Sequence, residues 1–281
     1  MTYSRLQRRR TRRRYHLFFT LFIIGALLLI VPLAYSKAVQ HHELTLANQY
    51  QHAQVKSGAL KAARRYNADI YARQQGQPVK YHQSIKHVQK NLKRPLGFVR
   101  IPAIHLISTP IYFGDSDRVL AKGTGIMGGT SLPVGGTNTL SVVSGHSGLA
   151  NRVIFDNIRY LKRGDVFYFS ALGGPEIAYR VYKRLIVDPT KPHATDVVKV
   201  QPGKDRAVLL TCTPIFVNSH RLLIYGKRVP IAAAKSTATH ARDAFTPLNI
   251  WLYAISLLMI LFIIWFMVTE LRDRHLIAKR S

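Results

Sequence analysis

Two uncharged apolar stretches bracket the chain. Residues 17–35 (LFFTLFIIGALLLIVPLAY) and 248–268 (LNIWLYAISLLMILFIIWFMV) are each long enough, as helices, to cross a hydrocarbon core. Trp251, Tyr253 and Trp265 lie toward the two ends of the second stretch, where an aromatic belt would put them. A cleavable signal peptide is the rival reading of the first, because Ala34-Tyr35-Ser36 resembles a cleavage site. Inside these brackets the pattern changes twice. Residues 37–95 are rich in Ala, Gln, Lys and Arg, with apolar residues three or four apart; Val55, Leu60, Ala63 and Tyr66 form a stripe that predicts helix. Gly76-Gln77-Pro78 breaks that region into two helices. From residue 96 to 231 come short runs of β-branched and aromatic residues between Gly, Pro and Asp turns. They are FVRI (98–101), TLSVV (139–143), DVFYFS (165–170), IAYRVYKRLIV (177–187), AVLLT (207–211) and RLLIYGKRV (221–229). Many short strands with no helical repeat between them predict a closed β-barrel or a sandwich. Residues 232–247 read as a polar linker to the second apolar stretch.

Charge orients this layout. The first sixteen residues hold Arg5, Arg8, Arg9, Arg10, Arg12, Arg13 and Arg14 without an acid, and Arg272, Arg274, Lys279 and Arg280 follow the second stretch. Basic flanks on the outer side of both stretches predict two cytoplasmic termini and an extracellular middle. The expected order is a basic cytoplasmic arm (1–16), a transmembrane helix or signal anchor (17–35), an extracellular helical arm (37–95) and the β domain (96–231). The linker (232–247), a second transmembrane helix (248–268) and a basic cytoplasmic tail (269–281) complete it. The net charge of +28 over 281 residues admits nucleic acid, an anionic membrane or an anionic polymer as partner. The Arg-rich arm abuts an apolar stretch, so the membrane accounts for it more simply and nucleic acid is not expected.

Cys212 is the single cysteine. No intramolecular disulfide can form, and multi-Cys zinc sites and CxxC redox pairs are excluded. It is either an inert buried thiol or a nucleophile. Thr213-Pro214 follows at once, and a Pro two residues on stops regular pairing, so Cys212 belongs at a strand end where a loop begins. If the runs on either side of that loop pair as a hairpin with Cys212 opposite Arg221, the two side chains share a face. A guanidinium there stabilises a thiolate and offers donors to a developing oxyanion. In Ser144-Gly145-His146-Ser147-Gly148, His146 stands at a strand end between two glycines, an open position suited to a general acid/base. His220, next to Arg221, is a rival for that role, and spacing alone does not choose between them.

LLTCTPIFVNSHRLLIYGKR (209–228) resembles the signature of sortases, in particular the class C, pilus-assembling branch. GTSLPVGGTNTLSVVSGHSGL (129–149) resembles the family's histidine region, IFDNIRYLKRGDVFYF (154–169) the stretch that follows it, and RPLGFVRIPAIHLISTPIYFG (94–114) the start of the barrel. The resemblance implies an eight-stranded barrel with Cys212 as nucleophile, His146 as general acid/base and Arg221 as the oxyanion-stabilising or substrate-orienting residue, with His220 left a structural role. It implies cleavage of LPXTG-like sorting signals between Thr and Gly through an acyl-enzyme, with transfer to an amine. That amine is a pilin lysine in pilus assembly or a cell-wall precursor amine in anchoring. No metal or organic cofactor is required.

The sequence also departs from the family pattern. Residues 76–81 (GQPVKY) lack the Asp-Pro-aromatic motif of the class C lid, so a lid of the usual kind is not expected. Thr213-Pro214-Ile215-Phe216 replaces a CTPYG-like continuation, Ser147 stands where Arg is common, and Leu140 and Ile126 stand where histidines are frequent. These changes spare the three candidate catalytic residues and imply a divergent substrate groove. Competing with a pilin-polymerising enzyme are an enzyme that anchors single proteins to the wall, a sortase-like binding or scaffold protein with little turnover, and a soluble cysteine hydrolase.

Overall fold

The computed structural model describes residues 57–149 and 153–235 without interruption, together with helical positions between residues 16 and 45 and between 251 and 269. The chain forms two compact units, one from its two ends (Met1–Val39 and Ala244–Ser281) and one from Gln40–Asp243. In the first unit Phe19 stacks on Phe266 with ring centroids 4.5 Å apart, and Phe22 meets Phe262 at 5.0 Å. Large apolar side chains such as Leu28, Trp251, Leu258 and Trp265 stand exposed along these helical positions. Among the described residues no helix is long and apolar enough to cross a membrane. Parts of both apolar stretches and the basic flanks at 1–15 and 270–281 lie outside the described residues, as does Val55 of the expected stripe.

The second unit is a closed eight-stranded barrel. Its strands are β1 (Gly97–Ile101), β2 (Leu106–Phe113), β3 (Thr124–Ile126), β4 (Thr139–Ser144), β5 (Val166–Ala171), β6 (Ile177–Val187), β7 (Asp205–Thr213) and β8 (His220–Val229). Around the barrel they run β1-β2-β3-β4-β7-β8-β6-β5. Six pairings are antiparallel; β2–β3 and β4–β7 are parallel. β2 and β3 are the strands the pattern of β-branched runs does not single out: β2 contains Pro110 and β3 is three residues long.

Period-two alternation sorts each strand between two apolar layers. Val99, Ile111, Val143, Phe167, Tyr179, Leu209 and Ile224 fill the barrel. On the outside, Leu140, Val142, Val208, Leu223 and Tyr225 form a second cluster beneath Val198 and Val200 of the β6–β7 crossover. β4 and β7 are therefore buried on both faces, which is why TLSVV and AVLL read as continuous apolar runs.

Helix α1 (Ser57–Gln74) lies across one end of the barrel. Ala63 is fully buried and Tyr66 packs on the core. Asn67 is also buried and clamps the β3–β4 loop twice, donating from Nδ2 to Leu132 O at 3.0 Å and accepting from Leu132 N at 2.7 Å. α1 ends just before Gly76, which adopts φ +65, so the expected break occurs there. Beyond it the chain turns back along α1, and the buried Asp69 carboxylate accepts from Tyr81 N (2.9 Å) and Gln83 N (2.6 Å). The segment that follows Gly76 is thus bound to α1. A one-turn helix, α2 (Ile85–Val88), precedes β1, and another, α3 (Asp117–Leu120), joins β2 to β3. At the start of the expected linker Ile231–Lys235 forms a helix, α4, whose Ile231 and Ala234 pack on Val166, Tyr168 and Ala178. The rest of the linker lies outside the described residues.

Close packing inside the barrel forbids a side chain on β8 at Gly226, where a Cβ would lie 2.5 Å from the Phe167 ring and 2.7 Å from Tyr179 Cβ. Overpacking of this kind costs about 1–3 kcal/mol. Gly226→Ala is accordingly expected to lower the calorimetric Tm of the full chain in detergent by several degrees; an unchanged Tm would contradict the packing described.

Candidate active site

β7 ends in Thr211-Cys212-Thr213, and the loop 214–219 returns the chain into β8. In the β7–β8 ladder Cys212 is paired directly with Arg221, and Thr213 with His220. The hairpin register supposed from the sequence is therefore the one observed. Alternation puts Cys212 on the face of Val208 and Leu210, the outer surface of the barrel, and Arg221 on the face of Leu223 and Tyr225 beside it. His220 belongs to the opposite face of the hairpin, and its Nδ1 lies 2.9 Å from Ser219 Oγ. Geometry thus separates His220 from the Cys212–Arg221 pair.

His146 comes to this pair through β4. The parallel β4–β7 ladder ends at Ser144 opposite Leu210, and two further residues on each strand reach His146 and Cys212. Three hydrogen bonds carry the pairing past the ladder. Gly145 N donates to Leu210 O (3.0 Å), Thr211 Oγ1 to Gly145 O (2.7 Å) and Ser147 Oγ to Cys212 O (2.8 Å). His146 O in turn accepts from Phe155 N at 3.0 Å. His146 therefore stands at the level of Cys212, on the strand flanking β7 opposite β8. Both Cys212 and His146 are partly exposed.

The glycines around His146 are there for space. A Cβ at Gly145 would sit 2.7 Å from the Phe155 ring, and one at Gly148 would sit 2.9 Å from Ile215 of the β7–β8 loop. Gly148 also has φ +79, a conformation few other residues adopt without cost. The buried carboxylate of Asp156 fixes this turn, accepting from Gly148 N (2.6 Å) and Ile154 N (3.2 Å). Asp156 and Thr211 were not singled out in the sequence. The available signal was an acid set among Ile154, Phe155 and Ile158, but the Gly148 it binds is eight residues away. Ser147, read as a departure from the family pattern, binds the carbonyl of Cys212 itself.

On the β8 side, Arg221 Nη1 donates to Asn218 O (2.9 Å) and His220 O (3.1 Å). These bonds fix the guanidinium at the root of the β7–β8 loop while Nε and Nη2 make no hydrogen bond among the described residues. At the loop tip Phe216 and Val217 are 82% and 68% exposed, so the Ile215-Phe216 substitution places apolar side chains at the rim of the site. No group of His, Cys, Asp and Glu among the described residues has the arrangement of a metal site. A thiol, an imidazole and a guanidinium on three adjacent strand ends can attack an acyl carbon, move a proton and steady an oxyanion without one.

Comparison with known proteins identifies the family. The sortase domain family profile matches residues 99–229. The chain is similar to Clostridium perfringens sortase C, whose X-ray structure includes the C-terminal cell wall sorting motif: 35% identity, TM-score 0.58, covering 68% of this chain and 99% of that one. It is similar also to Streptococcus pneumoniae sortase C, described with reference to catalysis and pilin substrate specificity, at 32% identity and TM-score 0.56, covering 68% of this chain and 97% of that one. Among curated proteins it matches Sortase A of Bacillus anthracis at 29% identity over 143 residues, which is 51% of this chain and 64% of that protein. The barrel order, the strand-end cysteine and these likenesses lead to one conclusion: the chain belongs to the sortase family, a family of transpeptidases.

Proposed function

We propose that the protein is a membrane-anchored cysteine transpeptidase that cleaves an LPXTG-like sorting signal between Thr and Gly and transfers the protein to an amine, a pilin lysine. The observation that carries this reading is the direct pairing of Cys212 with Arg221, with His146 tied to the same strand end from the other side. The Cys212 thiolate adds to the Thr carbonyl carbon, and the Arg221 guanidinium donates to the oxyanion that forms. Collapse breaks the C–N bond as His146 gives its proton to the leaving glycine amine, which leaves a thioester. His146 then takes a proton from the incoming amine, whose nitrogen attacks the thioester and expels Cys212. The likeness to sortases named class C supports polymerisation of pilins over anchoring of single proteins.

Residues 17–35 and 248–268 are read as the two anchors, with the barrel outside the cell and both termini in the cytoplasm. Their uncharged sequence, their basic outer flanks and the large exposed apolar side chains on their described positions support this.

Mass spectrometry of the full chain in detergent, incubated with an LPXTG peptide, is expected to show an acyl adduct on Cys212 that an added amine discharges. Cys212→Ala abolishes the adduct. Arg221→Ala slows its formation by about 10²–10³, the cost of one oxyanion donor, and wild-type turnover in that variant would remove Arg221 from the mechanism. With a full-length pilin as both substrate and acceptor, a ladder of covalent oligomers is expected; single products alone would favour wall anchoring.

The packing of Gly145 on Phe155 yields a separate expectation. Gly145→Ala pushes the end of β4 off Phe155 and carries His146 with it, and a displacement near 1 Å costs on the order of 10²-fold in rate. Cys212 acylation is expected to slow by that factor while Cys212 remains open to alkylation by iodoacetamide. Unchanged acylation would show that the Gly145 contact does not set the position of His146.

A further inference from the structure

Away from the Cys212 site, the outer surface of the sheet carries cations in register. Arg180 of β6 is paired directly with Lys227 of β8, and Lys227 with Arg206 of β7. Directly opposed residues share a face, so three positive charges stand in a row across three neighbouring strands, an arrangement that destabilises a sheet unless something offsets it. Within the described residues no acid lies within ion-pair distance of the three, since the ion pairs present join Arg100 to Glu176, and His193 and Lys199 to Asp196. Asp205, adjacent in sequence to Arg206, is engaged elsewhere: it accepts from Gly136 N (2.9 Å) and from Tyr179 Oη (2.8 Å). Burial and that carboxylate hold the Tyr179 hydroxyl well above its ordinary value, so it stays a donor to Asp205.

What offsets part of the repulsion is local and incomplete. The Arg206 guanidinium lies 4.3 Å from the centre of the Tyr182 ring. Arg180 Nη2 donates to Ala233 O at 3.0 Å, while Arg180 Nε is buried without a hydrogen-bond partner. Lys227 is exposed.

The row stands toward the barrel end where β4, β6 and β7 begin and β8 finishes, the end opposite Cys212. A cavity of about 520 Å³ opens there between α1 and the loops preceding β4 and β6, and Arg64, Asp205 and Arg228 are among its walls. The chain also enters and leaves the barrel at this end. Near the start of α1, Leu60 lies 3.6 Å from the position of a Cβ on Gly174 in the β5–β6 turn, and Ala234 of α4 buries against Ala178 near the start of β6. Residues 236–247 then reach at most about 40 Å, fully extended, before the second apolar stretch begins. The cationic row thus lies toward the barrel end at which the chain enters α1 and leaves through α4.

We propose that this end, with the row Arg180–Lys227–Arg206 on its flank, docks on anionic phospholipid headgroups and turns the Cys212 site away from the bilayer. The proposal rests on the reading of residues 17–35 and 248–268 as membrane spans. Cations held near an anionic leaflet are drawn to it within about a Debye length, so the docking is salt-dependent.

The test uses the full chain with Cys212→Ser, placed in lipid nanodiscs whose headgroups carry a quencher. A single new cysteine bears a fluorophore, either at the exposed Gln201 in the turn before β7 or, as control, at Phe216 in the β7–β8 loop. Retention in neutral phosphatidylcholine discs after a high-salt wash reports the membrane spans alone, so failure of that reading shows itself separately. The expected result is several-fold stronger quenching of the Gln201 label in discs containing phosphatidylglycerol than in neutral discs, weakened by Lys227→Gln and by about 0.5 M salt. Combining Arg180→Gln, Lys227→Gln and Arg206→Gln removes the difference, and the Phe216 label stays unquenched in every disc. Because Lys227 is exposed, the single variant tests the row even if the triple variant does not fold. Equal quenching in both discs, indifference to Lys227→Gln, or quenching of the Phe216 label would overturn the proposal. So would a Gln201 label that responds to soluble poly(glycerol phosphate) but not to the charge of the disc, which would make the partner a wall polymer.

Discussion

β7 is hydrogen-bonded on both edges, parallel to β4 and antiparallel to β8, and the position of every group in the candidate site depends on those two registers. The antiparallel register sets Cys212 opposite Arg221. The parallel one, continued by Gly145 N, Thr211 Oγ1 and Ser147 Oγ, brings the histidine loop to the same height. A slip of one residue in either ladder would turn Cys212 or Arg221 to the other face of the sheet. The registers resist such a slip because both faces of β7 are buried, Ala207 and Leu209 inside the barrel and Val208 beneath the crossover. Packing two apolar layers thereby fixes the geometry of three polar groups at the strand ends.

Polar groups buried near the strand ends do the remaining positioning. Asp156 binds the backbone of the histidine turn, Asn67 binds the loop that feeds β4, and Asp69 binds the segment after α1. Each ties backbone groups of a turn or loop to a buried side chain, and removing one would leave a buried polar group unpaired, a state that costs about 1–3 kcal/mol. They lie at two ends of the domain: one holds the candidate catalytic groups and their turns, and the other is crossed by α1 and carries the cationic row. The segment at 81–83 is held against α1 through Asp69.

Much of this could be read from the chain itself. Six of the eight strands follow from β-branched and aromatic runs bounded by turn residues, and the Pro after Cys212 marks its strand end. The Cys212–Arg221 pairing follows once those two runs are taken as a hairpin. β2 was harder, since Pro110 breaks its pattern, and β3 is too short to have one. Local sequence could not choose His146 over His220, because the choice depends on the parallel pairing of β4 with β7, strands more than 60 residues apart; there only the family resemblance pointed to His146. Asp156 and Ser147 escaped for the same reason, as their partners are set by tertiary contact. The cationic row shows only after the barrel closes and brings Arg180, Lys227 and Arg206 side by side.

The central claim is that the two registers make Cys212, His146 and Arg221 a single working unit. It is tested most directly by single-turnover acylation of Cys212 in the wild type, His146→Ala, Arg221→Ala and the double variant. Groups that serve one transition state are strongly non-additive. The account therefore predicts that the double variant is only modestly slower than the worse single variant, far from the product of the two losses. Losses that multiply would show that the two residues act independently, and would contradict the reading of this strand end as one catalytic site.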